Sequence, residues 1–150
     1  MKISQNGIEA IKDYEGCELA AYKDGGGVWT IGVGSTRNVT PNLVITMAEA
    51  EERLKWDLAE AEQDVNQFVK VPLTQNEYDA LVSFTFNLGG SALNKSTLLR
   101  LLNGGTNRTL VADQFLRWCK DVNPKTGKLE VVPGLLKRRE KERKMFLSSN

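Results

Sequence analysis

Glu15, Asp24 and Thr30 are the side chains of this sequence whose types and spacing best suit bond-breaking chemistry. They lie in EGCELAAYKDGGGVWTIGVGS (15–35), where five glycines fall within ten residues around a Trp-Thr-Ile run. Two carboxylates across a cleft are the usual minimum for acid-catalysed glycosidic cleavage. One protonates the leaving oxygen, and the other stabilises the sugar cation or directs water. Glycines let backbone lie flat against a bulky sugar chain, because no Cβ stands in the way. The same residues also fit a solvated, glycine-rich hairpin that happens to carry charge, and spacing alone leaves both readings open.

Composition narrows the chemistry. The sequence contains no histidine, which removes Ser-His-Asp and Cys-His nucleophilic machinery and His-liganded zinc. Cys17 and Cys119 are the only cysteines. They are too few for a disulfide scaffold or a zinc cage and are expected to be reduced, structural thiols. Proton transfers must then run on carboxylates, lysine, tyrosine or water. The balance of 20 basic and 19 acidic side chains gives no net field toward nucleic acid or membrane. MKISQNGIEAIKD lacks the apolar core of a signal peptide, and no run approaches the ~20 residues of a bilayer span, so folding in a cytosol is expected.

The elements that must position these residues read as helices with clear punctuation. Ile8, Ile11 and Tyr14 at spacing three predict a short helix over 5–14, ended by Gly16. Thr46 and Glu49 form a capping box, opening a long helix whose stripe runs Met47, Ala50, Leu54, Leu58, Ala61, Val65 and Phe68 and which Pro72 closes. Thr74 and Glu77 repeat the box for a helix reaching Gly89-Gly90, apolar on nearly every face and therefore expected at the centre. Shorter helices are expected over 96–104 and 110–121, the latter with Val111, Phe115, Trp118 and Cys119 facing in. NPKTGK (123–128) reads as a turn, and a last helix runs from Pro133 to Leu147. Residues 20–42 differ: Tyr22, Val28, Trp29, Thr30, Ile31 and Val33 favour strands, with glycines for tight reversals. The expected fold is α+β, a single domain over 1–150. A β-rich flap at about 20–42 sits beside a helical lobe at about 46–150 that takes in the N-terminal helix, and the long helix joins them. A crevice between such lobes is a natural binding site.

Glu15, eight residues, Asp24, five residues, Thr30, then IGVG resembles the Glu–Asp–Thr signature of phage-type lysozymes, glycoside hydrolase family twenty-four. AYKD, LTQNEYDALVSFTFNLGG (73–90), STLLRLLN (96–103), FLRW (115–118) and PGLLKRREKER (133–143) resemble endolysin segments in the same order. The likeness spans nearly the whole chain. It implies a lysozyme-like fold and hydrolysis of peptidoglycan between N-acetylmuramic acid and N-acetylglucosamine, with no cofactor or metal. Glu15 matches the general acid, Asp24 the second carboxylate and Thr30 the hydroxyl that helps hold water. Inversion at the anomeric carbon is implied, with carboxyls ~6.5–9.5 Å apart. Many relatives carry histidine after the second hairpin glycine, where this chain has Gly34-Ser35-Thr36. Serine can hydrogen-bond there but cannot form an ion pair.

The resemblance places Phe86 and Asn87, at the end of the central helix, beside the sugar groove, together with Gly34 and Ser35. Phe86 reads as core ahead of a sugar platform, because aromatic residues at helical spacing usually pack inside, and Asn87 is the better contact candidate, with an amide suited to N-acetyl groups and sugar hydroxyls. KRREKERK (137–144) reads either as a solvated helix face with pairs such as Glu140–Lys144 or as a surface for anionic wall polymers or the outer membrane. The expectation is a monomeric endolysin that accumulates in the host cytoplasm and needs a separate holin-type membrane protein to reach the wall. A lytic transglycosylase, a carbohydrate-binding module and a nucleic-acid binder are the competing readings. Asp24 and Thr30 at family spacing weigh against the first, and the presence of Glu15 against the second. Near-neutral charge with no recognised motif weighs against the third.

Overall fold

Ile8 and Ile11, one turn apart, fix the buried face of the first helix, α1 (Gln5–Glu15). Gly16 ends it in the left-handed region at φ 73°, donating its N–H to the Lys12 carbonyl at 2.8 Å. The chain enters β1 (Glu18–Lys23), reverses through the three glycines and returns antiparallel as β2 (Trp29–Gly32). Tyr22 pairs with Thr30 and Lys23 with Trp29, with a register irregularity between Glu18 and Tyr22. A two-stranded hairpin is marginal by itself. This one is held by a small core in which Ile31, Ile45 and Ala50 are buried and Cys17, Ala21, Val39 and Leu43 pack against them.

The computed structural model describes residues 1–149. It divides the chain into two compact units, one of Ile8–Glu60 and one of Met1–Gly7 with the residues from Ala61 onward. Helix α2 (Met47–Phe68) runs through the division. The expected capping box opens it: Glu49 N–H donates to Thr46 Oγ1, and Thr46 N–H to Glu49 Oε1, both at 3.1 Å. Ala50, Leu54, Leu58, Ala61 and Val65 are buried as the stripe predicts, whereas Met47 stays half exposed.

The second unit continues with α3 (Gln75–Leu88), α4 (Gly90–Lys95), α5 (Thr97–Asn103), α6 (Arg108–Asp113), a 3-10 turn (Gln114–Arg117), a hairpin of β3 (Lys120–Val122) and β4 (Leu129–Val131), and α7 (Pro133–Leu147). Thr74 and Glu77 form the reciprocal box at the start of α3, and residues from Tyr78 to Thr85 are buried. Phe84 is the hub: Phe115 and Trp118 meet it edge-on at 5.5 and 5.6 Å, and Phe146 of α7 tilts against Phe115 at 5.5 Å. Such edge-to-face pairs contribute ~0.5–1.5 kcal/mol each beyond their burial. Asp79 ties down the N-terminal segment by accepting from the backbone N–H and hydroxyl of Ser4. The helical architecture with small antiparallel hairpins is the α+β arrangement expected.

Two expectations are corrected. Residues 110–121 do not form one helix. Asn107 caps α6 early by accepting from Thr109 N–H at 2.8 Å, the chain tightens to 3-10, and Trp118 leaves helical space at φ −99°, ψ 52°. Lys120–Val122 then pairs with Leu129–Val131 across the 123–128 turn. Val111, Phe115 and Cys119 are nonetheless buried as expected. Nor is KRREKERK a solvated face throughout, because Arg138, Arg139 and Glu142 are buried. Glu142 meets Arg139 Nε at 2.8 Å and Arg138 Nε at 3.3 Å and accepts from the Ser83 hydroxyl of α3. Charges at 138, 139 and 142 fall on one helix face because three and four residues are one turn.

Candidate active site

Glu15 is the last residue of α1, so the helix end sets its position. Its side chain is half-buried. Gly34, in the left-handed region at φ 73°, lies beside it: a Cβ there would stand 3.8 Å from Glu15 Oε2. The acid and Gly34 of the IGVG run, nineteen residues apart in sequence (34 − 15), are thus neighbours in the same unit.

Asp24 begins the reversal between β1 and β2. Its Oδ1 accepts from the N–H groups of Gly26 at 2.8 Å and Val28 at 2.9 Å, and its own N–H donates to the Val28 carbonyl at 2.9 Å. This is an Asx-type turn, in which an aspartate side chain takes over the job of a backbone carbonyl. The carboxylate is exposed, and its direction is locked by backbone. Thr30 pairs with Tyr22 across the hairpin, and Asp24 is two residues beyond Tyr22. Asp24 lies just past the end of β1, so both residues stand at the turn end of the hairpin. Thr30 is buried, and its hydroxyl donates to the Val28 carbonyl at 2.9 Å. Val28 links the two: its N–H is held by Asp24 and its carbonyl by Thr30.

Ser35 is buried beside β2, exchanging backbone hydrogen bonds with Ile31 at 2.9 Å in both directions. Its hydroxyl accepts from Arg53 of α2 at 3.3 Å. Arg53 also donates to the carbonyls of Arg37 and Asn38, the latter in positive-φ space at 51°. Sequence reasoning did not single out Arg53. It binds residues 15 to 18 positions away, and no local pattern announces such a contact.

Phe86 and Asn87 belong to the other unit, at the end of α3, where both are half-buried. Asn87 Oδ1 accepts from Arg139 Nη2 at 2.7 Å, which fixes the amide. Cys17 and Cys119 are free thiols, as expected, with Cys17 Sγ 3.9 Å from Met47 Sδ. Among the described residues no group of three His, Cys, Asp or Glu side chains could hold a metal ion, and no helix is long and apolar enough to cross a membrane.

A carboxyl at a helix end, a second carboxylate locked on a glycine-rich turn and a hydroxyl on the returning strand of that hairpin are thus brought together in one unit. The phage lysozyme family pattern matches residues 12–142. An endolysin of Acyrthosiphon pisum secondary endosymbiont phage 1 is 45% identical over 150 residues, covering 99% of this chain and all of that one. Among solved structures, the muramidase domain of SpmX from Asticaccaulis excentricus superposes with a TM-score of 0.91 at 37% identity, covering 99% of both chains. A mutant of P22 lysozyme does so with a TM-score of 0.84 at 44% identity, again covering 99% of both. The chain belongs to the phage lysozyme family. Its activity class is accordingly that of an endolysin, a glycoside hydrolase.

Proposed function

We propose that the chain hydrolyses the β-1,4 bond between N-acetylmuramic acid and N-acetylglucosamine in bacterial peptidoglycan, with inversion at the anomeric carbon and consequent lysis of the host. Glu15 is the general acid, and Asp24 with Thr30 directs the water. One observation carries the reading: the Val28 peptide fixes what Asp24 and Thr30 can offer. Thr30 has committed its hydroxyl hydrogen to the Val28 carbonyl, so toward a further partner its oxygen can only accept. Asp24, anchored through Oδ1, presents a carboxylate. Both are acceptors at the turn end of one hairpin. A water that donates one hydrogen to each has its own lone pair left to attack.

The proton balance closes. Glu15 gives its proton to the glycosidic oxygen as the bond to the anomeric carbon breaks, and the water's proton passes to Asp24 as the new C–O bond forms. Exchange with solvent then restores both groups. Gly34 admits the sugar close to the acid, and Ser35 contributes through Arg53 by fixing the loop. Phe86 and Asn87 are proposed as sugar contacts. With Oδ1 engaged by Arg139, Asn87 offers its NH₂ donors to an acetyl carbonyl. The proposal extends to a monomer that awaits a holin-type membrane protein in the host cytoplasm and then acts on the wall.

Proton NMR of a soluble peptidoglycan fragment tests the reading. The first product is expected as the inverted, α anomer. A first-formed β anomer would make Asp24 a nucleophile and contradict the water-holding role. An anhydro sugar in the mass spectrum would replace hydrolysis by a transglycosylase route.

A further inference from the structure

The outer side of α2 carries an unusual arrangement for a solvent face. Trp56 is 69% exposed, although an indole is among the side chains that gain most from burial. It is nevertheless ordered by its neighbours. The Arg37 guanidinium lies over the ring, 4.7 Å from its centroid. Arg37 is in turn held by the carboxylate of Asp57, the next residue along the helix. The backbone of the loop bearing Arg37 is clamped by Arg53, which donates to the carbonyls of both Arg37 and Asn38. One ring face is thus covered by a fixed guanidinium, and an exposure of 69% requires that the rest of the ring meet solvent.

We infer that Trp56, with Arg37 and Asp57, is a second glycan-binding platform, outside the catalytic residues, that takes the polymeric sugar strand. The inference rests on the proposed glycan substrate. A rigid aromatic face suits the apolar C–H side of a pyranose, and the flanking guanidinium and carboxylate supply the donors and acceptors that sugar hydroxyls and acetamido groups require. Location selects this occupant. Arg37 follows Gly34, which lies against Glu15, by three residues. Extended chain spans at most ~3.3–3.6 Å per residue, so the platform's loop begins within roughly 11 Å of the acid's neighbour. A strand engaged at Glu15 and running toward this loop would meet the indole within a few sugar units. A guanidinium already stacked and paired loses little freedom when the strand binds, which favours a weak but specific contact. The platform acts on binding of long strands and does not touch the reacting atoms.

The test uses the full chain in the Glu15→Gln background, so that wall material is not consumed. Trp56→Ala should weaken co-sedimentation with purified peptidoglycan sacculi by at least about fivefold, the loss expected when a contacting tryptophan is truncated. Trp56→Phe should retain most of the binding. A chitin oligosaccharide, which has no peptide stem, should perturb Trp56 emission, isolated by comparison with the phenylalanine variant. In the otherwise unmodified protein, Trp56→Ala should raise KM on long strands and leave kcat unchanged. Sacculus binding unaltered by Trp56→Ala would overturn the platform, as would Trp56 emission unmoved by the chitin oligomer. Failure of wild-type protein to release reducing ends from the same sacculi would instead overturn the proposed activity. The two failures are therefore separable.

Discussion

Asp24 has two jobs on one side chain, and a single substitution separates them. Oδ1 accepts from Gly26 and Val28 N–H and shapes the turn, while the charge is what the proposed reaction uses. Asparagine keeps the accepting oxygen and loses the charge. Asp24→Asn should therefore leave stability within about 0.5 kcal/mol, as for a neutral surface change, and cut peptidoglycan hydrolysis by ~10²–10⁴-fold. Asp24→Ala should lose turn stability as well. Full activity in a folded asparagine variant would remove Asp24 from the chemistry. At this scale the sequence was informative wherever the reason for a residue is local. The glycines after Asp24 announce a reversal, and Gly16 announces a helix end. Thr30 was legible as a hydroxyl on a strand, but its bond to the Val28 carbonyl depends on how the turn closes. Arg53 was silent because its partners come from a loop far away in sequence.

Among the elements, those bounded by self-contained signals were readable. The boxes at Thr46–Glu49 and Thr74–Glu77 form within four residues and need no tertiary partner. The stretch 108–122 misled because Lys120–Val122 becomes strand only when Leu129–Val131 lies alongside. The charged face of α7 misled for a related reason: a basic run reads as solvated until α3 supplies Ser83 and Asn87 to receive it. Burial pushes the Glu142 carboxyl up, and Arg139, Arg138 and the Ser83 hydroxyl pull it back. With a guanidinium at 2.8 Å, the ionised form is the one that answers both arginines. Glu142→Gln keeps the shape and removes that charge, and loss of one partner of a buried pair costs roughly 3–5 kcal/mol. Urea unfolding should show a loss of this size. A midpoint near that of wild type would mean that the cluster contributes little to α3–α7 packing.

For the whole molecule, pH and lysis give the clearest readouts. Tyr78 is buried and donates to the Met1 carbonyl at 2.9 Å. Burial, with the Glu62 charge adding to it, pushes its phenol up from 10.0 to about 12. The folded state thus keeps a proton that the unfolded chain gives up. The associated stability is intact below pH 10 and lost as pH rises through about 12, a fall of at most about 2–3 kcal/mol. The stability difference between wild type and Tyr78→Phe should shrink by that amount between pH 9 and ~12, and parallel profiles would contradict the shift. The fold class and activity class were legible because the family's spacing survives over nearly the full chain. What had to come from the structure was the hydrogen bonding that gives Asp24 and Thr30 their direction. The central claim is that Glu15 delivers the proton, and turbidity of outer-membrane-stripped bacteria tests it most directly. Glu15→Gln preserves shape but has no acidic proton to give. The account predicts that lysis falls by at least ~10²–10⁴-fold, with the unfolding transition unchanged. A folded glutamine variant that clears the suspension at the wild-type rate would contradict it.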